Sequence, residues 1–264
     1  MKSTTLHRWV TRATIPVIAM MVVLASADRA VAGCNFAAMG EGRVDNVIDG
    51  RTVRLADGRE VRLAGIEIAT TGTAHTTATA ALAHLVTGHT VTLQGESETP
   101  DRYGRQRAFV FLEGTDTPVQ AVLLDQGAAL ASGTVANPNC AVELLAAEAS
   151  ARTARRGIWE HSIVIKNAES SGDILARVGQ FTLVEGKVRS ARQAGATFYI
   201  NFGKRWTDGF AVTIPRRMMP LFERTGIPLK SLENRQIRVR GWIERRGGPR
   251  IEASRPGQIE LMGD

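Results

Sequence analysis

The stretch from Val47 to Thr70, VIDGRTVRLADGREVRLAGIEIAT, leaves this chain the fewest alternatives. Val and Leu alternate with charged residues on either side of Asp57-Gly58, a strong signal for a tight hairpin turn. Strands are therefore predicted over Thr52 to Ala56 and Glu60 to Ile66. Alternation of this kind gives each strand one apolar face, and two strands alone cannot bury such a face. The hairpin must belong to a larger sheet or barrel. Asp49 and Arg51 precede its first strand, and Arg62 and Glu67 lie on and just after its second, so opposite charges gather at one rim. Fold stability alone does not require such a cluster.

Downstream, a helix is predicted over Thr73 to Thr87, with Ala81, Leu82, Leu85 and Val86 on its buried stripe and Gly88 as its stop. Strands follow over Thr90 to Leu93 and Ala108 to Leu112, with a polar loop from Glu96 to Arg105 between them. Helices are expected over Val119 to Asp125 and Ala141 to Arg156, the latter rich in good helix formers. This order suits a five-stranded barrel of the oligonucleotide-binding (OB) type with helices added. His75, His84 and His89 fall in and around the first helix without a metal-ligand spacing, and read as solvated or capping residues.

Several stretches together resemble the thermonuclease family, the calcium-dependent phosphodiesterases of the staphylococcal-nuclease type. Their motif I-D-G-D-T-V appears as Ile48-Asp49-Gly50-Arg51-Thr52-Val53, and R-L-x-G-I-D-x-P-E as Arg62 through Thr70. The family's D-x-Y-G-R is Asp101-Arg102-Tyr103-Gly104-Arg105, and the likeness extends over roughly Gly42 to Trp159. The resemblance implies a barrel in which carboxylates hold calcium, a glutamate activates water and two arginines clamp the phosphate. Arg62 and Arg105 match the arginines. Arg51 stands in place of the first metal carboxylate, Glu67 is a lengthened version of the second, and Thr70 replaces the glutamate base.

The change at Arg51 weighs most. A unit positive charge about 5 Å from a divalent cation repels it by roughly 6 to 7 kcal/mol at an effective dielectric near 20. That exceeds the margin of a weak calcium site. Arg51 is therefore expected to pair with Glu67 or Asp49, and a threonine hydroxyl at Thr70 stays protonated near neutral pH. No cofactor is expected, with calcium only if the family site survives; Asp49 and Glu67 are the weak metal candidates.

Residues 1–32 read as an export signal, with Lys2, Arg8 and Arg12 ahead of an apolar run from Ala13 to Ala27 and Ala30-Val31-Ala32 as cleavage site. The run is too short for a comfortable membrane span. Export predicts a Cys34–Cys140 disulfide. An alternative takes Val31-Ala32-Gly33-Cys34 as a lipoprotein box with Cys34 lipidated, and the two readings exclude each other.

Residues 33–160 form the predicted thermonuclease-like domain, 161–173 a linker and 174–264 a second, basic OB-like barrel. Cys34 to Glu160 holds 11 Arg and no Lys against 15 acids, whereas His161 to Asp264 holds 18 Lys and Arg against 10 acids. The second half is the one that would seek a polyanion. Its strands are expected over Phe181 to Arg189, Thr197 to Phe202, Phe210 to Ile214, Arg235 to Arg245 and Arg250 to Ala253, with a helix over Arg216 to Arg224. If outward faces lie side by side, Tyr199, Arg238, Arg240 and Trp242 form a platform that stacks bases and holds phosphates. Otherwise Trp242 packs under a loop or against the first domain and the arginines are solvated.

Three functions fit the sequence. One is an exported, degenerate thermonuclease that binds single-stranded DNA or RNA without cutting it. A second is a working nuclease with metal rearranged around Asp49, Glu67 and Asp101. The third is an exported scaffold or protein-binding module.

Overall fold

A computed structural model describes Met1 and residues 33–70, 72–97, 99–161, 164–203 and 208–263. The export-signal reading of residues 1–32 lies outside the described residues. Residues 32–264 form one compact unit.

Its first part is a closed barrel of β1 (Ala37–Asp49), β2 (Thr52–Leu55), β3 (Glu60–Leu63), β5 (Thr90–Gly95) and β6 (Gln106–Leu112), in the order β1-β2-β3-β6-β5. The hairpin pairs Thr52 with Arg62 and Val53 with Val61, and β3 runs parallel to β6. Val53, Leu55, Val61, Leu63, Val91 and Leu93 fill the interior, each essentially inaccessible to solvent. Between β3 and β5 lie the short β4 (Ile66–Glu67) and helix α1 (Ala74–Val86), which buries Ala78, Leu82 and Val86 on one stripe. Gly65 makes the turn from β3 into β4 with φ +79, where a Cβ would come 2.7 Å from Leu144 Cδ1. That turn sends Glu67 back to the rim beside Arg51 and Arg62.

After the barrel come α2 (Val119–Asp125), β7 (Leu130–Ala131) paired with β4, and α3 (Pro138–Thr153). Asn137 caps α3, its side chain accepting from the backbone N–H of Asn139 and Cys140. A disulfide joins Cys34 to Cys140. In the chain-entropy model a closed loop of this length is worth about 4 to 5 kcal/mol. The lipidated alternative for Cys34 is corrected here, since a disulfide leaves the sulfur no free valence.

The stretch expected to be a linker is built into the second part. It carries β8 (Ile165–Asn167), which pairs in parallel with β9 (Phe181–Lys187), and α4 (Ser171–Leu175) lies between them. Next come β10 (Ser190–Ala194), β11 (Thr197–Asn201), β12 (Ala211–Pro215), α5 (Met219–Arg224), β13 (Gln236–Trp242), β14 (Glu244–Arg246), β15 (Gly248–Glu252) and β16 (Ile259–Leu261). They form two sheets, ordered β10-β11-β12-β15-β14 and β16-β13-β9-β8. A meander and a parallel β12–β15 pair occur here as they do in the first barrel, but β13 pairs with β9 and β16 while β15 pairs with β12 and β14, so these strands form two sheets where a second closed barrel was expected. Phe198, Ile200, Val212, Ile214, Ile237, Val239 and Ile251 meet in its core.

Candidate functional site

At the rim of the first barrel, β1 ends in a turn closed by Asp49, whose Oδ1 accepts from the Arg51 backbone N–H at 2.9 Å. Backbone pairing then fixes Arg51 beside the hairpin, since the Leu63 N–H donates to the Arg51 carbonyl at 2.8 Å. The Arg51 guanidinium is ion-paired to Glu67, and Arg62 Nη2 lies 3.6 Å from the other Glu67 oxygen. Glu67 thus bridges two arginines. Its side chain is only 12% exposed, so this pairing is partly desolvated.

Arg105 comes from the loop before β6. Asp101 organises that loop, accepting from the backbone N–H of Tyr103 and Arg105 and from Arg105 Nε at 2.9 Å. Arg105 and Asp101 also form a 2.7 Å ion pair. Hydrogen bonding from Arg105 holds the Asp101 carboxyl down at about 2. Both Arg102 and Arg105 lie over the ring of Tyr103, which is 65% exposed.

The arginines feel one another. Burial, and then the neighbouring charge of Arg62, lower the Arg51 guanidinium to about 10, with Arg105 adding to the shift. Burial followed by Arg105 likewise lowers Arg62. The corner therefore sets three arginines against three carboxylates, Glu67, Asp49 and Asp101, while burial and the neighbouring guanidiniums hold Arg51 and Arg62 below their ordinary value.

These residues do not fit a calcium ion. The Glu67 carboxylate that would ligate it is engaged by Arg51 and Arg62, and Asp101 is committed to its loop and to Arg105. Among the described residues no group of three or more His, Cys, Asp or Glu side chains could hold a metal. Thr70 has a different use as well, its hydroxyl donating to Gln180 Oε1 at 2.6 Å, an atom that also accepts from Arg177 Nη1. Thr70 is a joint between the two parts of the chain.

That joint continues inward. Ala69, Leu130 and Trp159 of the first part pack with Val164, Phe181 and Leu183 of the second. Arg240, inaccessible to solvent, pairs with Glu260 and at 2.8 Å with Glu148, itself fully buried in α3, and Arg240 Nη1 donates to the Ala131 carbonyl at 2.8 Å. Arg238 pairs with Glu185 and Glu260. Gly133, at φ +69, allows its backbone to meet Gly257, whose oxygen a Cβ would approach to 2.3 Å.

The expected base-stacking platform is corrected by this arrangement. Arg238 and Arg240 do alternate with the core residues of β13, but both are buried in ion pairs, Arg240 against Ala131 and Glu148 of the first part and Arg238 between Glu185 and Glu260 of its own. Trp242 stands at the end of β13, 46% exposed and edge-on to Phe181. Tyr199 lies on β11, in the other sheet. Sequence reasoning also missed Glu148 and Gln180, because nothing local distinguishes either from an ordinary solvated residue.

Among the described residues no helix is long and apolar enough to cross a membrane. No curated protein matches the chain. Residues 60–161 match the family model described as Staphylococcal nuclease homologue, which makes this part of the chain a staphylococcal-nuclease-like domain and supports the thermonuclease family.

Proposed function

We propose that this chain is an exported thermonuclease-like protein that binds nucleic acid through its phosphates, with calcium-dependent phosphodiesterase activity lost or much reduced. The observation that carries the reading is the Arg51–Glu67 ion pair, which sets a fixed cation against the carboxylate a metal would use. Mutual repulsion among Arg51, Arg62 and Arg105 favours an anion there, because a phosphate relieves it. The disulfide is compatible with export.

A second reading, an exported scaffold or protein-binding module, is favoured by a specific observation. Arg51, Arg62 and Arg105 each have a carboxylate partner, and Thr70 serves as an attachment point for the second part. Gel shifts with single-stranded DNA and RNA at rising salt separate the two. Under the first reading binding weakens steeply with salt, and Arg62→Ala or Arg105→Ala each reduces it by roughly tenfold or more. Binding that ignores salt and both substitutions leaves the scaffold.

A further inference from the structure

The outer face of the second part's other sheet carries a basin of about 530 Å³. Phe198, Ile200, Val212 and Ile251 point into the core, so Tyr199, Asn201, Ala211 and Arg250 alternate to the opposite face. Strand register sets Arg192 of β10 directly opposite Tyr199, Asn201 opposite Ala211, and Ala211 opposite Arg250. Arg246 of β14 completes the border opposite Gly248. The floor is made of small groups, Ala194, Ala211, Gly248 and Pro249, with Tyr199 beside them.

Charge on this basin is one-sided. Among the described residues no carboxylate lines it. Glu244 lies alongside and engages Arg250 at 3.0 Å and Arg246 at 3.8 Å. Arg250 Nε is buried and has no acceptor among the described residues. A flat apolar floor with a phenol ring and a border of arginines has room for a planar base and places cations where its phosphates would run. An acidic peptide would use the arginines but has no need of the floor.

We infer that this basin binds a segment of single-stranded nucleic acid, stacking a base on Tyr199 and holding phosphates with Arg192, Arg246 and Arg250. The site is separate from the Arg51–Arg62–Arg105 corner and rests on the nucleic-acid reading above only for the class of ligand.

The test is fluorescence anisotropy of the full chain with a labelled oligothymidylate about 12 nucleotides long, within the range such sites cover. Tyr199→Ala should lower affinity by roughly 5- to 150-fold, while Tyr199→Phe keeps the stacking ring and binds like the parent. The double variant Arg192→Ala/Arg246→Ala should flatten the slope of log affinity against log salt by about 1.4. If these variants bind as the parent does while Arg62→Ala binds poorly, the basin is not a site and the first-barrel reading stands. If the parent binds no oligothymidylate at any salt, both fall. If a polyglutamate peptide displaces the probe and Tyr199→Ala has no effect, the basin is instead a surface for acidic protein.

Discussion

Arg51 puts a fixed positive charge at the rim of the first barrel, and the fold accommodates it by giving it Glu67. Arg105 shows the same economy, because Asp101 shapes its loop and neutralises it at once. The Asp101 carboxyl is held at about 2 against an ordinary value of 3.8. A depressed carboxyl supports the folded state above its unfolded value and ceases to do so as pH falls through its folded one. The Arg105–Asp101 link should therefore hold at neutral pH and open only as acid approaches about 2. Carboxyl-selective NMR titration should place the Asp101 midpoint there, and in Arg105→Ala it should return toward 3.8. A midpoint already near 3.8 in the parent would show that the pair does not form.

Strand β13 and helix α3 meet through Arg240 and Glu148, both without solvent contact. Burial alone lowers a guanidinium, yet Glu148 and Glu260 outweigh it, so Arg240 is raised and stays charged. Removing one partner strands the other. Arg240→Ala should destabilise the fold by about 3 to 5 kcal/mol, and Arg240→Met combined with Glu148→Gln should recover most of that. Chemical denaturation of these variants beside Arg240→Met decides it; a double variant no more stable than Arg240→Met alone would mean that the unpaired Glu148 charge is not the source of the loss. Legibility in the sequence differed between elements for a related reason. The β2–β3 hairpin was plain because one face is buried by its own barrel and its turn is Asp57-Gly58. Strand β1 was missed: it buries Met39 and Val44 but few others, and Gly40 at φ +95 interrupts its alternation. For β13 the alternation was read correctly and its meaning wrongly, since a strand's sequence does not say what covers its second face.

Across the molecule, the second part docks beside the corner where a thermonuclease would do its chemistry, through Thr70–Gln180 and the packing around Trp159 and Phe181. The segment expected to be a linker contributes β8 and Val164 to this union, which is why its polar composition misled. Motif residues that serve the barrel, such as the turn at Gly65 and the buried Thr52, are kept, while those that would serve the metal and the base have other partners. The chemistry was legible in the sequence only as a set of replacements. The Arg51–Glu67 pair and the Thr70–Gln180 joint depend on contacts between separate segments. The most direct measurement is a cleavage assay of the full chain on single-stranded DNA and RNA, with calcium and with chelator, beside Arg62→Ala. An ion pair in the metal's place predicts no calcium-dependent cleavage above the chelator control. Cleavage that requires calcium and disappears in Arg62→Ala would contradict it, and would mean that Glu67 leaves Arg51 to bind metal.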